Sequence, residues 1–243
     1  MNTSIEKLQT LVNRAKRIVF FGGAGVSTAS GIPDFRGEEG LFQREYDGLT
    51  AEMMLSESFF YLHPERFFQF YRAHMLHPDA QPNAAHRKLM ELERAGKLRG
   101  IVTQNIDGLH RGAGNRLVYE IHGSVHQNYC MDCNQFYPME KVLHSKGIPR
   151  CDYCGGIVKP WVTLYGEPLD APTETGACRE ISNCDLLIVA GTSLNVEPAA
   201  SFLNYFHGRA LVVINREETP VDERATLCIR GDIAQVMDAL RLE

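Results

Sequence analysis

The chain has no run of 18 apolar residues, so no segment is expected to cross a membrane. It carries no excess of positive charge either. Twenty-five Lys and Arg against 30 Asp and Glu give a net −5, too acidic for a protein that works by neutralising phosphates, and direct nucleic-acid binding is not expected. The first 16 residues mix charged and apolar positions without an apolar core before a small-residue cleavage site, which argues against a secretory leader. No internal repeat or low-complexity tract is present. The seven cysteines are an odd number, and four of them form two C-x-x-C pairs. Reduced thiols in a cytoplasm, with the pairs serving a metal, are the expectation. What is present suits a globular enzyme: 243 residues, 44% hydrophobic, with 21 Gly and 11 Pro. A chain of that length buries roughly three quarters of its unfolded surface and needs no disulfide staples.

Short apolar runs punctuate the sequence at 18–21, 101–103, 117–119, 186–190, 211–214 and 227–229. They are apolar throughout rather than alternating, the pattern of strands in a parallel sheet covered on both faces. Helical patterns lie between them. One covers 3–15, where Thr3 and Glu6 read as a capping box. Others start at Asn83, cover 198–206, and open at Asp232 with Gln235 three residues on. The alternation predicts an α/β fold with a Rossmann-like parallel sheet. Two stretches interrupt it. Residues 37–80 are rich in Phe, Tyr and Met and read as a helical insert; residues 126–158 hold the cysteine pairs. The expected division is therefore a sheet domain of 1–36, 81–125 and 159–243, and a smaller domain of 37–80 and 126–158.

The strongest local signal is Cys130-x-x-Cys133, 17 residues, then Cys151-x-x-Cys154. Each pair puts two thiolates on one knuckle, and two knuckles complete the tetrahedral S₄ shell of one structural Zn²⁺, with no position left open for water. Cys178, Cys184 and Cys228 lack such partners and read as packing residues.

Gly23-Ala24-Gly25-Val26-Ser27-Thr28 follows the first strand and suits a turn approached by a pyrophosphate, or simply a tight turn. It departs from the ordinary dinucleotide fingerprint, because Thr28 replaces the third glycine and no acid ends the next strand. Pro33 stops a helix from continuing. The segment 31–37 therefore reads as an ordered loop carrying Asp34, Phe35 and Arg36. Polar groups then recur at the carboxyl ends of the strands, where ligands bind in such sheets: Gln104, Asn105 and Asp107, His122, Thr192 and Ser193, and Asn215. Among nine histidines, His122 is preferred over His86, His110 and His126 because a strand delivers it to the crevice.

These elements together resemble the sirtuins, NAD+-dependent protein lysine deacylases of bacterial type, over nearly the whole chain. The resemblance rests on 23–27, 31–36, 103–107, His122-Gly123, the four cysteines, 191–194 and Pro198-Ala199, with Leu164-Tyr165-Gly166-Glu167 added. It implies NAD+ as co-substrate in a cleft between a Rossmann-like domain and a small domain of helical insert and zinc ribbon. Carried over by motif, Ala24, Thr28, Phe35 and Arg36 would line the cofactor loop and Gln104 would contact a ribose. Ile106 and Asp107 would hold the nicotinamide carboxamide, Thr192 and Ser193 would meet the phosphates, and Asn215 and Ile233 would lie toward the adenosine. His122 and Asn105 would be catalytic. The acyl-lysine protein or peptide would lie as an added strand between 161–165 and the segment near Glu197.

The implied reaction yields nicotinamide, O-acyl-ADP-ribose and free lysine, with His122 as general base through the ribose hydroxyls. Two departures from the family pattern stand out. Gly22 occupies a position usually held by Thr. Members that take acidic acyl groups carry Tyr-x-x-Arg in the insert, whereas this chain has Tyr71-Arg72-Ala73-His74. Without that guanidinium fork, acetyl or another neutral acyl is expected rather than succinyl or malonyl. The aromatic clusters of the insert read as a small core rather than a long acyl tunnel. The rival readings are a protein mono-ADP-ribosyltransferase on the same scaffold, an NAD+-sensing zinc-ribbon module, and a hydride-transferring dehydrogenase.

Overall fold

A computed structural model describes residues 3–35 and 40–242. Helix α1, Thr3–Arg14, turns Leu8 and Val12 inward. Thr3 lies within this helix rather than ahead of it, so the expected capping box with Glu6 does not form its start. Strand β1, Ile18–Gly22, follows. A two-residue-per-strand hairpin, β2 (Glu45–Tyr46) and β3 (Leu49–Thr50), leads into α2 (Ala51–Met54), α3 (Glu57–Leu62) and α4 (Pro64–His74). These short helices are set by local caps: Thr50 accepts from Met53 N, Ser56 accepts from Phe59 N, and Pro64 opens α4.

Asn83 caps α5, Ala84–Arg94, as expected, and its own N–H donates to His86 Nδ1, closing a reciprocal box the sequence reading did not foresee. There follow β4 (Leu98–Thr103), α6 (Leu109–Gly112), β5 (Val118–Glu120), β6 (Gly123–Cys130), β7 (Phe136–Tyr137), α7 (Met139–Leu143) and β8 (Val158–Val162). The chain closes with α8 (Ala171–Asn183), β9 (Leu186–Ala190), β10 (Ala210–Ile214), β11 (Leu227–Ile229) and α9 (Ile233–Asp238), the last capped by Asp232 on Gln235 N as expected. The expected helix at 198–206 is instead a 3₁₀ segment, Ala199–Tyr205. Ser201 sends both its N–H and its hydroxyl back to Pro198 O, three residues earlier, which favours the tighter winding.

Six strands form one parallel sheet in the order β11-β10-β9-β1-β4-β5. The chain moves outward from β1 first to one side and then to the other, the doubly wound topology that opens a crevice at the strand carboxyl ends beside β1. Successive residues of β1 serve opposite faces. Ile18 and Phe20 join Leu8, Val12, Leu89 and Met237 on one side. Val19 and Phe21 join Ile181, Phe202 and Leu203 on the other. A separate three-stranded antiparallel sheet, β7-β6-β8, carries the cysteines. The insert and this sheet share one core, in which Phe59, Phe60, Phe67, Phe68 and Tyr71 pack with Met139, Val142, Val125 and Val162. The aromatic richness of the insert is thus spent on that core.

Candidate functional site

Two backbones meet at the bottom of the crevice. Gly23 N donates to Ala190 O at 3.1 Å and Gly25 N to Gly191 O at 2.9 Å. A Cβ on Gly23 would lie 2.7 Å from Gly191 O, and one on Gly25 would lie 2.7 Å from Gly191 Cα. The glycines are therefore demanded by the apposed loop after β9, whatever ligand lies above them. No long helix follows β1; two 3₁₀ turns, Ala24–Val26 and Thr28–Ser30, take its place, and Thr28 Oγ1 donates to Gly25 O. Gly22 also finds its reason here, since a Cβ would come within 2.8 Å of the Phe20 ring.

Above this floor lies a cavity of about 730 Å³. Ala24, Thr28, Phe35, Gln104, Asn105, Ile106, His122, Thr192, Ser193, Asn215 and Ile233 all line it. Of the four histidines weighed, only His122 does. Asp107 does not reach the wall. Its carboxylate accepts from Ser27 Oγ at 2.6 Å and from Leu109 N at 2.9 Å. Arg36 lies outside the described residues.

His122 sits where the chain passes from β5 to β6. Its Nδ1 is 3.0 Å from Gln104 O. A carbonyl only accepts, so Nδ1 carries the hydrogen and the neutral ring keeps its lone pair on Nε2. Burial pushes the pKa of His122 below the usual histidine value, opposed by the hydrogen bond to Gln104. The imidazole is therefore in its basic form at neutral pH. Beside it, Asn105 is buried and its Nδ2 donates to Ser27 Oγ at 3.0 Å, so Ser27 joins Asn105 to Asp107. Gln104 Nε2 donates to Thr192 Oγ1 at 2.9 Å, bridging the loops after β4 and β9.

The sequence reading missed Ser27 as this hub, although it stands inside the glycine motif. It also missed Phe42, Leu55 and Met75, which together with Tyr71 of the insert make an apolar stretch of the cavity wall. Tyr71 and Met75 are one helical turn apart, a spacing that reads equally as core. The Tyr71 hydroxyl is buried without a hydrogen-bond partner among the described residues. Arg216 is the one cationic side chain among the described residues that line the cavity.

The cavity fits a dinucleotide. Its volume falls in the range of cofactor sites, its glycine-lined floor admits close backbone approach, and it joins hydroxyl and amide donors to a flat Phe35 wall.

The four cysteines converge as expected, with all sulfurs within 4.8 Å of one another. Cys130 and Cys154 are 3.4 Å apart, Cys133 and Cys151 3.6 Å, and Cys133 and Cys154 3.4 Å. A tetrahedron with 2.3 Å metal–sulfur bonds has edges of about 3.8 Å, so the donor set fits zinc. The two knuckles share one geometry. Asn134 and Gly155, each following a second cysteine, have φ of 58° and 77° and return their N–H to the carbonyls of Cys130 and Cys151. Tyr137 braces the cluster, donating its hydroxyl to Cys151 Sγ at 3.2 Å and accepting from Asp152 N at 2.8 Å.

Comparison with known proteins places this geometry. The model of the Sir2 family matches residues 23–198. An NAD-dependent protein deacetylase of Clostridium perfringens is 52% identical over 239 residues, covering 98% of each chain. A solved Sir2 complex with a deacetylated p53 peptide and 3′-O-acetyl-ADP-ribose superposes with a TM-score of 0.89 at 36% identity, over 98% of this chain and 97% of that one. A Sir2 complex with a p53 peptide and NAD+ gives 0.85 at 37% identity, over 96% and 95%. With the parallel sheet, the S₄ cluster and the histidine-bearing crevice in one chain, this protein belongs to the Sir2 family.

Proposed function

We propose that this protein, an NAD-dependent protein deacetylase, uses His122 as its general base and holds both reactants in the crevice above Gly23 and Gly191. The observation that carries the reading is the imidazole of His122, locked by Gln104 O with Nε2 basic, on the wall of the one cavity where the glycine floor meets the apolar end.

NAD+ supplies an electrophilic ribose carbon as its nicotinamide leaves. Ala24, Thr28, Thr192 and Ser193 line the floor where its phosphates would be met by backbone and hydroxyl donors. Asn215 and Ile233 stand at the far end, beside Arg216. Phe35 covers a ring, and Ile106 supplies an apolar wall. Gln104 faces a ribose, with its own orientation fixed by Thr192. Asn105 is held for its part by Ser27. Asp107, whose carboxylate is oriented by Ser27 Oγ and Leu109 N, is proposed with Ile106 for the nicotinamide carboxamide on its motif. Arg36 is proposed as a cofactor contact on its motif alone. His122 Nε2 takes a proton from a ribose hydroxyl, which makes that oxygen the nucleophile toward the acyl carbon.

The acyl group enters the end built by Phe42, Leu55, Tyr71 and Met75, where no described side chain is cationic. A carboxylate there would be desolvated without a partner. Acetyl and other neutral acyls are the substrates of this reading. The modified peptide is proposed to bind as an added strand near 161–167 and Glu197. Incubation with an acetyl-lysine peptide and NAD+ should release nicotinamide and O-acetyl-ADP-ribose in equal amounts. Nicotinamide together with a heavier protein would instead identify ADP-ribosyl transfer.

A further inference from the structure

The far edge of β8 is partly closed by side chains. Within the antiparallel sheet β8 pairs with β6, and among the described residues its other edge has no strand partner. Along that sheet Thr163 N donates to His122 O, which turns the backbone groups of Val162 and Leu164 toward the unpaired side. Three of those four groups are taken, and Val162 N–H has no hydrogen bond among the described residues. Leu164 N donates to Glu167 Oε2 at 2.9 Å, and Lys159 Nζ lies 3.4 Å from Val162 O. Lys159 and Glu167 are themselves paired at 3.1 Å, both largely buried, with the ammonium 5.8 Å from the centre of the Phe60 ring.

The same carboxylate shapes the turn that follows. Glu167 N donates back to Leu164 O at 2.9 Å, so 164–167 is a tight turn with Gly166 at φ 100°. Tyr165 is clamped from the insert, its N–H donating to Leu55 O and its carbonyl accepting from Glu57 N. Residues 162–167 all line the cavity. Past this clasp, Gly166 N makes no hydrogen bond among the described residues.

We infer that Lys159 and Glu167 are positioning residues for the peptide substrate: their clasp closes the β8 edge at Val162 O and Leu164 N and directs the incoming strand to the Gly166 side of the turn. The inference rests on the strand-addition reading of substrate binding. An edge strand with free donors would admit the peptide in more than one register. A side-chain carboxylate on Leu164 N and an ammonium on Val162 O reduce the places at which a strand can pair. Lys159 does not line the cavity and the Glu167 carboxylate is turned to Leu164 N and Lys159, so on this inference the loss of the pair acts on peptide affinity.

The test is steady-state kinetics of Glu167→Ala, Glu167→Gln and Lys159→Met with an acetyl-lysine peptide of about a dozen residues. Glu167→Ala should raise the peptide KM about tenfold, the loss of one charge-assisted hydrogen bond. Glu167→Gln keeps an acceptor for Leu164 N and should raise it by roughly a third of that. kcat and the KM for NAD+ should stay within about twofold, since kcat falls only when an interaction made in the transition state is lost. Unchanged peptide KM in folded variants, or kcat falling in parallel with kcat/KM, overturns the inference. A scan of backbone N-methylated peptides on the unaltered enzyme tests the underlying reading separately. Methylation at alternate positions weakens binding if the peptide adds as a strand. Indifference at every position would remove strand addition, and the clasp with it.

Discussion

The two sheets of this molecule are stabilised by different means. The parallel sheet is covered on both faces, and the residues it buries against α1, α5 and α9 on one side and α8 on the other form two continuous apolar clusters. The cysteine end of the antiparallel sheet has almost nothing of the kind: Cys130, Tyr137, Cys151 and Val158 make up its whole local cluster. One sheet is held by burial on both faces; the other shares the insert's apolar core at one end and has four thiols that fit a metal at the other. His122 stands on the strand connection between the two sheets. A side chain at such a seam is placed by the rigid sheet and faced by the region that carries the four cysteines.

The sharpest break of this pairing is at the seam itself. His122→Ala should fold and bind zinc normally yet lose about 10²–10⁴-fold or more in turnover. Deacetylation by the folded variant at an undiminished rate would remove the residue from its role. The pH profile carries the sign. Because His122 titrates below the usual histidine value, activity should hold as pH falls through 6.5 and decline only at lower pH, as the base becomes protonated.

Next in size is the metal. Cys133→Ala should lower the zinc content, expected at one per chain by elemental analysis, and melt the region around β6–β8 while the parallel sheet persists. The binding free energy at stake is on the order of 10 kcal/mol. Hydrogen exchange that loosened both sheets equally would contradict the division of labour.

Acid offers the converse perturbation. His86 and His110 lie buried against each other beneath the parallel sheet, ring centres 4.6 Å apart, and three of their four ring nitrogens have no partner. Burial lowers the pKa of His86 to about 4, and that of His110 falls for the same reason, helped by its neighbour. In the unfolded chain both accept protons near 6.5, so stability is full above that pH and is lost as pH falls toward 4. For His86 alone the loss approaches about 3 kcal/mol. His86→Asn should flatten the fall of Tm between pH 6.5 and 4.5, and an unaltered slope would exclude the pair as its source.

Smaller effects sharpen the apolar end of the cavity. Acetyl-peptide should be turned over at least tenfold faster than succinyl-peptide, and equal rates would show that a cation reaches the acyl group after all. Tyr71→Phe removes a hydroxyl that is buried without a partner among the described residues and should be neutral or stabilising, by about 1 kcal/mol or less in thermal melts.

How much could be read beforehand follows the same boundary. Strands of the parallel sheet announce themselves as unbroken apolar runs, and Asn83 and Asp232 mark their helices, because burial and capping are local in sequence. The cysteine spacing likewise carries its own geometry. What escaped reading depends on apposition. Gly23 and Gly25 suggest a ligand, but only the fold shows Gly191 pressed against them. Ser27 looks like a small residue after a glycine turn until Asn105 and Asp107 arrive from a strand some 80 positions later. For Asp107 the resemblance implies a place at the carboxamide, and the fold adds what no motif shows, that its carboxylate accepts from Ser27 Oγ and Leu109 N.

The contact of Gly25 with Gly191 has a mechanical consequence. Two loops emerging from neighbouring strands touch main chain to main chain, with no side chain between them to compress or rotate, so they move as one plate. A methyl group added to any of the three glycines would meet the facing main chain within 2.7 Å and push the two loops apart at that point.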